Sequence, residues 1–496
     1  MKKIFEQASF KKPQMSGFNL SHDKKLSLKF GKLYPVYLDE VLPSDDFSVN
    51  SEILMRMAPM VAPMMHEVNV YMHYFYVPNR IIWDQFEEFI TGGKNGDSVI
   101  TPPQFTLDNA TKAALGTTSD YFGLPTGDYT TQPLDVNALP FRAYAEIWNE
   151  YYRDQNLTDP IDITSAFNYW ELLDRCWEKD YFTSALPWSQ RGPDVSVPIA
   201  GQFSPQYKAV DQLDPGTGGA SRNLQNTFSG NMFDGVNNVS IENLEDPQSV
   251  DGVETLVTEL RRSVRLQEFF EKAAKAGSRY KEQLLAYFGV RSSDSRLDRP
   301  EYLGGGMQPI RVSEVLNTSA TASQPQGDMS GHGITVGGKN AFRRKFEEHG
   351  FVIGIMSVLP KTAYQQGVNR LWSRDDRFDY YFPDFAHIGE QEVLYKELYY
   401  NPAGNDTPDE TFGYQQRYAE YKYKNSTVHG DFRDTLDFWH MSRKFDSQPA
   451  LNENFVSADP TDRIFAVQDD TDYLWAHIYH SVKARRPMPF FADPRL

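Results

Sequence analysis

The chain has one cysteine in 496 residues, Cys176, so no intrachain disulfide can form. That excludes the small secreted folds held together by bridges. Long apolar runs are missing as well. The most apolar short stretch, Phe351 to Leu359, is far too short to span a bilayer, and the mean hydropathy is −0.56. The opening MKKIFEQASFKK has the positive region of a signal peptide but no apolar core behind it. Positive charge is in deficit. Lys and Arg number 50 against 67 Asp and Glu, a net charge of −17, so the chain as a whole is not a polyanion binder. There is no internal repeat and no sustained heptad.

Catalytic constellations are also lacking. His66-Glu67 begins like a zinc-protease helix, but Val70 stands where the second histidine belongs. His477 and His480 are three apart in an alternating stretch, with no third ligand at metal spacing. GTGGAS at Gly216 lacks the third glycine of a dinucleotide loop and the strand before it. No P-loop and no Gly-x-Ser-x-Gly elbow occurs. Asp45-Asp46, Glu87-Glu88 and Asp375-Asp376 could in principle serve glycoside hydrolysis, but adjacent carboxylates in turns and on helix faces are ordinarily solvated. Cys176, between Trp170 and Trp177, reads as packing and not as a nucleophile. The expectation is no enzyme, no cofactor and no metal.

What is present is organised around Arg56 to Gly93. Pro59 and Pro63 bracket a Met-rich entry that cannot be helical throughout. A strand follows over Val68–Val77. Val68, Val70, Met72, Tyr74 and Tyr76 point one way, and Asn69, Tyr71, His73, Phe75 and Val77 the other. So few charges mean cover on at least one face and on most of both. Pro78 ends the strand. Asn79 is placed to cap a short helix whose Ile82, Phe86 and Phe89 or Ile90 share a face, and Gly92-Gly93 stops it. This is the pattern of a central strand in a two-layer β structure, leading into a helix on its rim.

Other strand signals are Leu26–Leu38 with a bulge or bend at Gly31, Ile310–Val315, Gly350–Val358, Gln391–Tyr400, Phe412–Tyr423 and Tyr473–Val482. All but Phe412–Tyr423 are expected together, with Val68–Val77, in one antiparallel sandwich. VLPSDDF (Val41–Phe47) reads as a turn, and Gly92 to Pro140 as a loop with little periodicity. Pro140 begins a helix with a core-facing aromatic stripe through Tyr144, Ile147 or Trp148, and Tyr151 or Tyr152. A helical pair follows later: Leu256, Leu260 and Val264 share one face, then Tyr280, Leu284 and Phe288 another. Between these helical regions Ala200–Asp251 is dominated by Gly, Asn, Ser, Asp and Gln, the composition of a functional or disordered excursion.

Basic charge concentrates at the ends. Lys2, Lys3, Lys11, Lys12, Lys24, Lys25, Lys29 and Lys32 face only Glu6 and Asp23. Lys483, Arg485, Arg486 and Arg495 face only Asp493. Such ends meet nucleic acid or an acidic neighbour, or stay solvated.

Several segments carry a resemblance. They are the Arg56–Gly93 stretch, FRAYAEIWNEYYRDQNL (Phe141–Leu157), DYFTSALPWSQRG (Asp180–Gly192), GSRYKEQLLAYFGVRSSDSRLDRPEYLGG (Gly277–Gly305), EHGFVIGIMSVLPKTAYQQG (Glu348–Gly367), IGEQEV (Ile388–Val393) and ARRPMPFF (Ala484–Phe491). In this order they make the chain similar to the major capsid proteins of the microvirus family of single-stranded DNA bacteriophages, in its gokushovirus-like branch. The resemblance implies a mainly β fold: an eight-stranded antiparallel jelly-roll sandwich with long inserted loops and several helices, one capsid domain over residues 1–496. Residues 1–18 would be a basic N-terminal arm, and 200–251 a surface insertion that protrudes near threefold axes and serves host attachment. Copies would assemble through pentamers into a sixty-copy T=1 icosahedral shell around a circular single-stranded DNA genome. Partners implied are a small basic DNA-packaging protein, an internal scaffolding protein, a minor DNA-pilot protein and a host surface receptor. The location implied is the virion, assembled in the bacterial host cytoplasm.

On that reading, sixty copies at −17 give a shell charge on the order of −1,000, unfavourable around DNA unless basic groups face inward. The DNA-facing candidates are Lys2, Lys3, Lys11, Lys12, Lys483, Arg485 and Arg486, with Phe490 and Phe491 available to stack on bases. The rival is a jelly-roll polysaccharide-binding protein or glycoside-active enzyme, whose polar loops would be a sugar platform. It requires aromatics and paired carboxylates on one set of loops, whereas Trp83, Trp148, Trp170, Trp188, Trp372 and Trp439 are scattered.

Overall fold

A computed structural model of the chain describes residues 13–164, 171–195, 225–226, 232–233, 257–316, 329–404, 406–467 and 471–491. The chain divides into two compact units, Met1–Ser189 with Ala273–Leu496, and Gln190–Lys272. The first unit holds a two-sheet antiparallel sandwich. Its strands in chain order are β1 (Ser16–Asn19), β2 (His22–Leu28), β3 (Tyr34–Val41), β4 (Asp46–Met57), β5 (Val68–Pro78), β6 (Glu301–Pro309), β7 (Arg311–Leu316), β8 (Met329–Lys345) and β9 (Gly350–Pro360). A small hairpin, β10 (Glu390–Leu394) and β11 (Thr411–Gln416), precedes the last long strand, β12 (Leu474–Arg486).

One sheet runs β1-β12-β4-β8-β7, with β2 also on β12; the other runs β6-β5-β9-β3. Successive strands of the sandwich therefore alternate between sheets except at the β1–β2, β5–β6 and β7–β8 steps. The orders β2-β12-β4-β8 and β3-β9-β5-β6 are those in which an eight-stranded jelly roll lays down its strands.

The core between the sheets follows from alternation. On β4, Phe47, Val49, Ile53, Met55 and Met57 are buried, while Ser48, Glu52 and Arg56 are exposed. They meet Val70, Met72 and Tyr74 of β5, Val352 and Met356 of β9, and Ile478 and Val482 of β12. The strand expected over Val68–Val77 is the central β5, and its second face is covered as its composition required. Phe75 and Val77, with Ile353 and Ile355 of β9, pack on helix α1 (Leu139–Ile147) through Ala143, Tyr144 and Ile147.

Asn137 accepts a hydrogen bond from the Leu139 N–H at the start of α1, and a π turn over Trp148–Tyr152 follows its end. The aromatic stripe faces the core with its polar tips satisfied. Tyr144 donates to the Leu33 carbonyl (2.7 Å), Trp148 to that of Asp174 (2.8 Å) and Tyr151 to that of Pro300 (2.7 Å). The later helical pair is α2 (Val257–Ala276) and α3 (Tyr280–Phe288). Leu260, Val264, Tyr280 and Phe288 are exposed. Leu256 lies outside the described residues, as does the Ala200–Asp251 insertion apart from the paired backbone of Gln225–Asn226 and Met232–Phe233.

Several expectations are corrected. Gln391–Tyr400 is not in the sandwich. Its strand part pairs with β11 alone, and Tyr395–Leu398 turns helical, within a satellite core of Tyr181, Phe182, Tyr364, Val393, Leu398 and Phe412. Phe412–Tyr423 is likewise β11 followed by a helical turn, Ala419–Lys422. Leu26–Leu38 is two strands in different sheets. The break is at Gly31, which holds φ +79°, and a Cβ there would lie 2.2 Å from the Ala458 carbonyl oxygen. Ile310 sits where the chain leaves one sheet for the other, between β6 and β7. The helix after Pro78 splits at Trp83 into Asn79–Ile82 and Phe86–Thr91. Asn79 is its first residue and not a side-chain cap, and Gly92 in the left-handed region ends the second piece. Residues Ser16–Phe18, read as arm, belong to β1, which pairs with the end of β12. The loop after Gly92 contains a short ribbon, Gln104–Leu107 on Leu134–Asn137.

Candidate nucleic-acid interface

The two sheets differ in what lies on their outer faces. The outer face of the β1-β12-β4-β8-β7 sheet is solvent-exposed in the subunit and carries the charge. Strand register places Lys483 of β12 beside Ser48 of β4, and Ser48 beside Arg343 of β8. One row on, Arg485, Asp46 and Lys345 align in the same way. Antiparallel partners share a face, so these side chains form one basic patch from strands far apart in sequence. Arg343 reaches Asp46 at 3.3 Å and leaves the other cations in excess. Further along the face stand Lys25, Arg56 and Arg311, against Asp23 and Glu52. A chain of strongly negative net charge thus presents a face with more cations than anions.

Aromatic and apolar groups interleave with these charges. Trp475 is 48% exposed and Tyr479 41%, both on β12 and both outward. Leu54 and Val336 are paired beside them, in line with His477. Exposed π faces among cations are the components of a surface for unpaired bases and their phosphates.

The residues singled out from sequence distribute unequally. Lys483 and Arg485 are on this face. Arg486 is one residue further, so its side chain turns to the other side of the sheet. There its Nε lies 3.6 Å from Oδ2 of the fully buried Asp45, its guanidinium donates to the Glu40 carbonyl (2.8 Å), and it covers the Phe47 ring at 5.0 Å. Asp45 also accepts from the Leu42 N–H (2.8 Å), and burial raises its carboxyl above the usual range. Arg486 therefore neutralises a buried turn. Lys2, Lys3, Lys11 and Lys12 lie outside the described residues. Phe490 stacks on Phe18 of β1 at 5.7 Å, and Phe491 is 80% exposed.

The two histidines of β12 face opposite ways, so they cannot share a ligand. His477 is outward. His480 is inside, bonded to the Ser51 hydroxyl (2.6 Å) and near the Val36 carbonyl (3.1 Å). Burial pushes its pKa down to about 4, helped by His22 and Lys24. Among the described residues no group of three or more His, Cys, Asp or Glu is placed to hold a metal, and no helix is long and apolar enough to cross a membrane. Cys176 is partly buried, and burial raises its thiol pKa, the reverse of an activated nucleophile.

A cleft of about 870 Å³ lies beside β5. Its acids are engaged. Asp154 pairs with Lys179 and Asp294 with Lys281, Glu178 accepts from Tyr71, and Glu282 accepts from Gln155. The adjacent acids noted in the sequence are turn and surface groups. Asp46 pairs with Arg343, Glu87-Glu88 open a short helix, and Asp376 caps a turn. No free pair of carboxylates spans a sugar-sized gap in this cleft.

The fold and these surfaces define a structural β-sandwich subunit. Residues 9–496 match the family model described as capsid protein (F protein). The chain is 36% identical to capsid protein VP1 of Chlamydia phage 1, over all of this chain and 98% of that protein. It is 34% identical to capsid protein VP1 of Bdellovibrio phage phiMH2K, over 97% of this chain and 95% of that one. Identity to capsid protein VP1 of Spiroplasma virus 4 is 28% over the same shares. The chain belongs to the capsid protein (F protein) family of microvirus phages, whose members are structural proteins and not enzymes. Self-assembly into a virion shell goes with that membership.

Sequence reading did not find Arg343, Lys345, Trp475 and Tyr479 as parts of one surface. The alternation of β12 signals that Lys483, Arg485, Trp475 and Tyr479 share a face, but nothing local brings β8 next to them.

Proposed function

We propose that this chain is the major subunit of a T=1 shell of sixty copies, built through pentamers around a circular single-stranded DNA genome in the bacterial cytoplasm. In this reading the outer face of the β1-β12-β4-β8-β7 sheet lines the shell interior against the DNA. The observation that carries it is the patch of Lys483, Arg485, Arg343 and Lys345 beside exposed Trp475 and Tyr479, on a chain whose net charge is −17. Of the candidates read from charge, Lys483 and Arg485 are retained, Lys2, Lys3, Lys11 and Lys12 join them from the arm, and Arg486 serves by holding the end of β12. So few cations per copy leave genome charge unneutralised, which fits a separate small basic packaging protein. An internal scaffold, a DNA-pilot protein and a host receptor that meets the 200–251 insertion complete the proposed partners.

The test is expression of the full chain, with the scaffold where required, followed by sedimentation velocity and electron microscopy. Closed particles of uniform size are expected. A protein that stays monomeric at every concentration and scaffold ratio contradicts the assignment. The sugar-binding alternative is favoured by no observation of the structure.

A further inference from the structure

The segment Arg370–Ile388 turns large apolar side chains outward on a series of hydrogen-bonded turns. Trp372 is 78% exposed, and Leu371, Tyr380, Tyr381, Phe382 and Ile388 are each more than two-fifths exposed. Three short 3₁₀ turns hold them: Arg370–Ser373, Arg377–Asp379 and Pro383–Phe385. The first is capped by Asn369, which accepts from the Leu371 N–H (3.0 Å). Asp379 accepts from the N–H groups of Asp375 and Asp376 (3.0 and 2.9 Å). Arg374 lies over Tyr421 at 4.4 Å and Tyr380 at 5.3 Å, with Glu420 at 3.6 Å. So many exposed aromatics within one hydrogen-bonded segment are unusual for a free face and match the make-up of interface hot spots.

Charge indicates what covers it. Asp375, Asp376, Asp379 and Asp384 stand among the aromatics and form no ion pair among the described residues, against a single such cation in the segment, Arg377, which lies over the Phe378 ring at 4.5 Å. A second exposed apolar surface has the opposite rim. On α3 and the turn after it, Tyr280, Leu285, Phe288 and Val290 are exposed, Phe288 to 76%, and Arg291 and Arg296 beside them form no ion pair among the described residues. The other charges there are already matched, Lys281 to Asp294 and Arg299 to Glu150.

We propose that the Arg370–Ile388 surface docks a second copy of this chain through that copy's Tyr280–Arg296 surface, the acidic rim meeting the basic one. The inference rests on the capsid reading and names one of the contacts by which copies join. Such a contact buries aromatic anchors under a charged rim that fixes partner and register.

The experiment is a charge exchange in the full chain under assembling conditions. Asp375→Lys with Asp384→Lys, and Arg291→Glu with Arg296→Glu, are each expected to lower the assembled fraction at least tenfold at fixed protein concentration. Circular dichroism and thermal midpoint should match wild type, since these side chains are exposed. The fourfold variant is expected to recover assembly, and Trp372→Ser to lose it without recovery. Reversals that assemble like wild type overturn the proposal and leave the surface to a scaffold or receptor. A fourfold variant that fails to recover overturns the pairing while the capsid reading stands. A wild-type chain that never assembles overturns both.

Discussion

The two sheets of this sandwich differ in their cover: among the described residues one is covered on both sides and the other on one. In the four-stranded sheet, β5 and β9 are buried along nearly every residue, because α1 and the π turn after it lie on the outer face. In the six-stranded sheet, β4 and β12 alternate strictly between buried and exposed or half-exposed positions. The first sheet spends its outer face on stability. The second leaves its outer face free for cations and aromatics that contribute little to folding, which is where a shell protein can meet what it encloses.

The largest test of that difference is packing. Phe75→Ala removes a ring buried between β5 and the layer above, and about 3–5 kcal/mol of stability should go with it. Trp475→Ala, on the bare sheet, should cost under about 1 kcal/mol despite the larger ring. Urea unfolding of the two variants checks the pair, and equal losses would break the comparison.

Acid should separate the interior from the bare face next. His480 is held neutral, with its pKa pushed down to about 4. The unfolded chain binds a proton near pH 6.5 and the folded one does not. Stability is therefore full above that value and falls as pH drops towards 4, by up to about 3 kcal/mol from this group. His480→Asn should flatten that part of the curve. Urea midpoints between pH 7 and 4 decide it.

Neighbours on β12 offer a finer contrast. Arg486→Gln leaves buried Asp45 without its cation and should cost roughly 2 kcal/mol. Arg485→Gln should stay within about 0.5 kcal/mol. Matching losses would show that direction from the sheet is not what distinguishes them.

Much of the covered sheet was legible because a β-branched and aromatic run without charges has to be buried on both faces. The bare sheet was harder. β4 alternates perfectly, but Ser51 interrupts its apolar row, and that residue is inside because it meets His480 and Tyr74. β8 hid for a different reason. It has Gly331 and Gly333 where large apolar groups would signal a strand, and a Cβ at those positions would sit 2.5 Å from the Ala62 carbonyl and the Met57 sulfur. Gln391–Tyr400 misled because a strand pattern reports burial of one face and not which core receives it. Half of the basic patch, Lys483 and Arg485, could be read from charge alone. The other half, Arg343 and Lys345, required the register of β8 on β4. Arg486 shows the same limit: its partner Asp45 is remote in sequence, so its inward duty is a tertiary fact.

The bare face should change DNA binding with almost no change in stability. Each phosphate contact with single-stranded DNA contributes about 0.7 to the slope of log K against log salt. Replacing Arg343, Lys345, Lys483 and Arg485 with Gln removes up to four contacts. The most direct measurement is therefore the salt dependence of single-stranded DNA binding by the full chain, wild type against this variant. A slope shallower by about 2–3 units, with an unchanged urea midpoint, is the predicted result. An unchanged slope would contradict the assignment of this face to the genome.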